Sequence, residues 1–189
     1  HPVTGEEVAP SDRLNRVVVA IDPAGSAAKR SDETGIVVVG RSGEDLYVLA
    51  DLSGRLSPDA WARRAVAAYE EHKADRILGE TNFGGEMVVH TIRTVAPGIP
   101  FKAVHASRGK AVRAEPVAAL YEQGKVWHCG TFSALEEQMC VWVPGEGQSP
   151  DRVDALVFAA TELMVGRLGA PGAIVGERSE QSAARTLGW

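Results

Sequence analysis

Gly35-Ile36-Val37-Val38-Val39-Gly40-Arg41-Ser42-Gly43-Glu44-Asp45-Leu46-Tyr47-Val48-Leu49-Ala50 holds two runs of strand formers, Gly35–Gly40 and Asp45–Ala50, on either side of a Ser42-Gly43 turn. β-Branched and aromatic side chains suit a pleated sheet surface, and a short glycine-bearing break between two such runs is a hairpin signal. Upstream, Arg16–Ile21 carries the same composition in Val17, Val18, Val19 and Ile21. The chain therefore opens on three consecutive strands joined as a meander.

Downstream the period changes. Ser57-Pro58-Asp59 supplies a capping hydroxyl, a proline at the first helical position and a first-turn acid, and Trp61, Ala65, Ala68 and His72 then recur at helical spacing. The remaining pattern predicts a strand at Asp75–Gly79, a helix at Gly85–Val95, a strand at Phe101–Ala106 and a helix at Lys110–Gln123 ended by Gly124. A short helix at Thr131–Cys140 and a long one at Pro150–Leu168 complete it. A meander extended by right-handed crossovers places strand four beside strand one and strand five beyond it. The predicted sheet is five-stranded and mixed, in the order 3-2-1-4-5 with only strand two antiparallel. That is the ribonuclease H-like α/β arrangement.

Composition narrows the functional classes. The 189 residues carry 20 basic and 25 acidic side chains, a net charge of −5, which is wrong for a domain whose main task is gripping nucleic acid over its whole surface. Cys129 and Cys140 form no CxxC pair, so neither a disulfide framework nor a zinc knuckle is expected and a reducing compartment is the default. The longest apolar runs are strand-length, so no membrane span is expected. No G-x-x-x-x-G-K-[ST] loop and no G-x-S-x-G elbow occurs, and Gly145-Glu146-Gly147 follows no strand. The segment 1–15 begins at His1 rather than Met and reads as a linker from a longer polypeptide; 16–168 is the folded domain and 169–189 a flexible tail.

The acids are more informative. Asp22, Asp51 and Glu80 each end a predicted strand. Acids are common at solvent-exposed strand ends, so the strand order decides between them. Strands one and four are neighbours, roughly 5 Å apart, whereas strand three lies roughly 10 Å from strand one. Asp22 and Glu80 can then share an ion, and Asp51 cannot. The last helix begins Ser149-Pro150-Asp151-Arg152-Val153-Asp154. Asp151 repeats the Ser-Pro-Asp pattern of Asp59 and reads equally well as a first-turn acid favoured by the helix dipole. Asp154 lies beyond that position, beside the apolar Leu156, Val157 and Ala160, and three residues from Asp151, so both face the same way. Crowded carboxylates need cations, and hard oxygen ligands suit Mg²⁺ or Mn²⁺; two such ions roughly 3.5–4 Å apart can clamp a phosphodiester. A basic strip, Lys102, Arg108, Lys110 and Arg113, interrupts the acidic body and reads either as a solvated helix start or as a phosphate track.

Several segments together resemble the C-terminal nuclease domain of the large terminase subunit of tailed bacteriophages. They are Ala20-Ile21-Asp22-Pro23-Ala24-Gly25-Ser26 with Thr34-Gly35-Ile36-Val37-Val38, and Glu80-Thr81-Asn82-Phe83-Gly84-Gly85-Glu86-Met87-Val88. Ala106-Ser107-Arg108-Gly109-Lys110 with Arg113-Ala114-Glu115-Pro116-Val117, and Ser149–Leu156, continue the series in order across 16–164. The resemblance implies a divalent-metal-dependent endonuclease that cuts concatemeric viral DNA during genome packaging. It assigns Asp22, Glu80 and Asp154 as the catalytic acids and metal ligands, with Asp151 as a fourth ligand, and two Mg²⁺ or Mn²⁺ ions as the expected cofactors. Arg108, Lys110 and Arg113 would contact DNA. It also implies double-stranded DNA, an upstream ATPase motor domain of the same polypeptide, the small terminase subunit and the portal as partners, and the bacterial host cytoplasm as location. Two other readings remain open at this point: a Holliday-junction resolvase or ribonuclease H-type nuclease on the same scaffold, and a non-catalytic docking module of a packaging motor.

Overall fold

A computed structural model describes residues 14–23, 33–81, 85–105, 109–143 and 150–168. Six strands and five helices are found among them: β1 (Arg16–Asp22), β2 (Gly35–Ser42), β3 (Asp45–Asp51), α1 (Pro58–Glu71), β4 (Arg76–Glu80), α2 (Gly85–Val95), β5 (Phe101–Val104), α3 (Lys110–Glu122), β6 (Val126–His128), α4 (Ser133–Val141) and α5 (Asp151–Leu168). The segments 1–13 and 169–189, where a linker and a tail are expected, lie outside the described residues.

The strands form one sheet in the order β5-β4-β1-β2-β3-β6. β2 runs antiparallel to β1 and β3, and the β1–β4, β4–β5 and β3–β6 pairs are parallel. The predicted order and the single antiparallel strand hold, but the sheet has a sixth member. β6 adds three residues to the edge beside β3, pairing Leu46 with Val126, Tyr47 with Trp127 and Val48 with His128. A three-residue strand is too short to show a period in sequence; its place follows from where α3 returns the chain to the sheet.

Alternation along β1 divides the core. Val17, Val19 and Ile21 join Ile36, Val38 and Ile77 on one face, covered by Trp61, Ala62, Ala65 and Ala68 of α1 and Val88 and Ile92 of α2. Val18, Ala20, Val37, Val39 and Leu78 point to the other face, covered by α3, α4 and α5. A sheet buried on both faces needs near-continuous apolar strands, which is why β1 and β2 lack the polar alternation of a half-exposed sheet. α1 begins as its sequence predicts: the Ser57 hydroxyl accepts from the Ala60 N–H at 3.3 Å with Pro58 in the first turn. Gly43, at φ +60°, takes the left-handed conformation that the β2–β3 turn requires. No helix among the described residues is long and apolar enough to cross a membrane.

Candidate active site

Asp22 and Glu80 are the last residues of β1 and β4, and the parallel register that pairs Ile21 with Gly79 brings them side by side. Asp22 is only 5% exposed although it carries an ionisable group at a strand end. Its carboxyl pKa is pushed well above the ordinary range, first by burial, then by a hydrogen bond with Glu80, and then by the negative charges of Asp154, Glu80 and Asp151. Two carboxyl groups can hydrogen-bond only through a proton, so this neighbour, like burial, favours the protonated form of Asp22.

The second half of the site comes from α5. Val153–Ala160 are all buried against the sheet, and Asp154, at 2% exposure, is carried into the interior by that packing. Its Oδ2 accepts from Lys110 Nζ at 2.5 Å, and its Oδ1 lies 3.9 Å from Arg113 Nη2. The Arg113 guanidinium also sits 4.8 Å over the Phe158 ring. Burial opposes the Lys110 charge, but the hydrogen bond to Asp154 and the charges of Asp154, Asp22 and Glu80 outweigh it and raise its pKa. Asp151 is half-buried in the first turn of α5, near enough for its charge to act on Asp22.

Four expected acids are thus gathered at one end of the sheet around Asp22, but they do not meet at a single point. Among the described residues no group of three or more His, Cys, Asp or Glu side chains is placed to hold one metal ion as it stands. The Asp154 carboxylate is turned to Lys110 and Arg113, while Asp22 pairs with Glu80. The donor set nevertheless suits a hard divalent cation: all oxygen, two of the acids buried, and an ammonium occupying the position of a counter-ion. Arg108 lies outside the described residues. Lys110 is half-open to solvent, whereas Arg113 is largely enclosed between Asp154 and Phe158.

Asp51 has a different part. Its Oδ2 lies 2.5 Å from Arg152 Nη1, its Oδ1 accepts from the Ser53 hydroxyl at 2.6 Å, and Arg152 Nε reaches Glu33 at 2.9 Å. Arg152 stands between Asp151 and Asp154, so Asp51 anchors the turn of α5 that presents them. Sequence reasoning set Asp51 apart from the acids but missed Arg152 and Glu33 as its partners' chain, because an ion pair 101 residues apart has no local signal. Gly35 was missed as well. It pairs with Asp22 across β1–β2, and a Cβ there would overlap the Asp151 carbonyl and come 3.2 Å from Ala155 Cβ. The available signal was a glycine heading a run of β-branched residues.

Residues 19–163 match the family model described as the terminase RNaseH-like domain. The chain belongs to that family. Solved terminase structures share the terminase RNase H-like fold at low identity. The human cytomegalovirus terminase nuclease domain, Mn soaked and inhibitor bound, is 18% identical with a TM-score of 0.62, over 80% of this chain and 83% of that one. The large terminase nuclease from thermophilic phage G20c is 14% identical with a TM-score of 0.57, over 78% and 81% of the two chains. The large terminase nuclease domain from bacteriophage SPP1, with bound Mn, is 14% identical with a TM-score of 0.56, over 82% and 90%. No curated protein sequence matches the chain.

Proposed function

We propose that this terminase domain is a divalent-metal-dependent endonuclease that cuts concatemeric viral DNA during genome packaging by two-metal-ion phosphodiester hydrolysis. The observation that carries the reading is the buried Asp22 carboxyl, surrounded by Glu80, Asp154 and Asp151 at one end of the sheet. Burying an acid among acids is costly unless something other than stability requires it. Membership of the terminase RNase H-like family, and the Mn in the cytomegalovirus and SPP1 structures, agree with it.

In this reading Asp22, Glu80 and Asp154 hold the ions, with Asp151 beside them. Bound Mg²⁺ or Mn²⁺ would supply the Lewis acidity that activates a water and stabilises the departing oxygen of a phosphodiester. The chain's own contribution is placement. β1 and β4 fix Asp22 and Glu80 on adjacent strand ends, and α5, seated on Gly35 and anchored by Arg152, brings Asp154 to them. Lys110 meets the phosphate backbone, with Arg108 preceding it in the chain, and Arg113 supports Asp154 from within the fold. Such phosphate contacts give affinity without reading sequence. The partners are double-stranded DNA, an upstream ATPase motor domain, the small terminase subunit and the portal, in the host cytoplasm.

The test is nicking of supercoiled plasmid by the purified chain in Mn²⁺, Mg²⁺ or EDTA, for the wild type and for Asp22→Asn, Glu80→Gln and Asp154→Asn. The expected result is metal-dependent cutting by the wild type and none by the three variants, each still folded by circular dichroism. Cutting in EDTA, or by any of the three, overturns the assignment.

A further inference from the structure

The Lys110 ammonium lies where this site would need a cation. Its Nζ is 2.5 Å from Asp154 Oδ2, and the charges of Asp22 and Glu80 act on it as well. Its side chain is 43% exposed, while that of Asp154 is 3% exposed. A buried acid is therefore held by a base that can swing into solvent without disturbing the core. Arg113 cannot do the same: its guanidinium is packed over Phe158, and at 3.9 Å from Asp154 Oδ1 it is beyond hydrogen-bonding distance. When Lys110 leaves, Asp154 loses the cation that is hydrogen-bonded to it.

An ammonium and a metal ion cannot share that carboxylate cheaply. Positive charges that close repel strongly in a partly buried site, and a divalent ion doubles the repulsion felt from a monovalent one. DNA offers the ammonium another anion. Lys110 is the first residue of α3, and Gly109 before it provides no side-chain cap for the N–H groups of that helix start. A phosphate there would meet both a positive side chain and a helix N-terminus.

We propose that Lys110 is a resident counter-cation that keeps Asp154 from ligating metal until a DNA phosphate draws the ammonium away, so that metal loading and DNA binding are coupled through this side chain. The inference rests on the nuclease reading above. Coupling of this kind is reciprocal: whatever DNA adds to metal affinity, metal adds to DNA affinity. A domain built this way holds its ions weakly when idle and firmly on its substrate.

The experiment titrates Mn²⁺ into the wild type, Lys110→Met and Lys110→Gln, each alone and with a saturating short duplex, reading free Mn²⁺ by its electron paramagnetic resonance signal. DNA-free Lys110→Met should bind Mn²⁺ between about fivefold and about 150-fold more tightly than the wild type, the ordinary span of such coupling. The duplex should tighten Mn²⁺ binding in the wild type more than in the variants. Lys110→Gln repeats the comparison if Lys110→Met does not fold, and the wild-type arms need no variant. Equal or weaker Mn²⁺ binding by the variants, or a duplex effect the same in all three proteins, overturns the role of Lys110 while leaving the nuclease reading intact. Failure of every protein to bind Mn²⁺, with or without duplex, overturns both.

Discussion

Gly35 of β2 lies directly against the backbone carbonyl of Asp151, with no room between them for a methyl group. That contact seats the first turn of α5 on the sheet one strand from Asp22, since Gly35 and Asp22 are cross-strand partners. Gly35→Ala should therefore act on the acids from behind. Backbone cannot yield as a flexible side chain does, so overpacking of this kind is expected to cost about 1–3 kcal/mol. Because α5 must shift away from β2, Mn²⁺ binding should weaken along with plasmid nicking. Urea denaturation and Mn²⁺ titration check this together; wild-type values in both would show that the close approach does not position the acids.

Asp22 should trade stability for function. Its folded pKa lies above its unfolded value near 4, so the fold favours the protonated form. The stability this group contributes is fully present below pH 4 and is lost as pH rises through the folded pKa. In EDTA at pH 7–8, Asp22→Asn, which can still donate a hydrogen bond to Glu80, should be more stable than the wild type. Each pKa unit of elevation corresponds to about 1.4 kcal/mol. Added Mn²⁺ should raise the melting temperature of the wild type and not of the variant. A metal-free variant no more stable than the wild type across pH 5–8 would contradict the account of Asp22 as a strained acid.

Most of the architecture was legible because it is written in local patterns. The β-branched runs of β1 and β2, the Ser57-Pro58-Asp59 helix start and the Ser42-Gly43 turn each carry their own signal, and strand order followed from crossover handedness. The same order singled out Asp22 and Glu80 as neighbours. What could not be read was set by distant contacts. Lys110 reads as a phosphate-binding base, yet it is hydrogen-bonded to an acid 44 residues away. Asp51 reads as an acid too far from strand one, and its contacts with Arg152 and Ser53 account for the enclosure of its carboxylate. β6 shows no period because three residues are too few to have one.

Asp51→Ala should unsettle the site without removing a ligand. Arg152 is largely buried, so deleting Asp51 removes one of the two ion pairs that its guanidinium makes among the described residues. Breaking one side of a buried pair costs about 3–5 kcal/mol, whereas replacing both sides with well-packed apolar groups is often neutral. The double variant Asp51→Leu with Arg152→Met should therefore recover much of the stability lost by Asp51→Ala. Nicking should follow stability, falling in the single variant and returning in part in the double. A double variant less stable than the single one would mean that the ion pair is not the reason for their burial.

A chain of hydrogen bonds holds the sixth strand to the helices beside it. The Tyr121 hydroxyl at the end of α3 lies 2.8 Å from His128 Nε2, and His128 Nδ1 lies 3.0 Å from Glu136 Oε1 on α4. Burial, with the Glu136 charge, raises the Tyr121 pKa, so the phenol keeps its proton beside His128. Glu136 is held below its ordinary range by His128 and by the Phe132 N–H, so what it contributes is present above its unfolded pKa and lost as pH falls through the folded one. Tyr121→Phe leaves the ring packing intact and removes one neutral hydrogen bond, at a cost of about 1 kcal/mol. The loss should be local. Amide exchange at Val126–His128 should accelerate more than at β1, and Mn²⁺-dependent nicking should be unchanged, because β6 lies three strands from Asp22. Uniform acceleration across the sheet would instead make this side chain part of the global core.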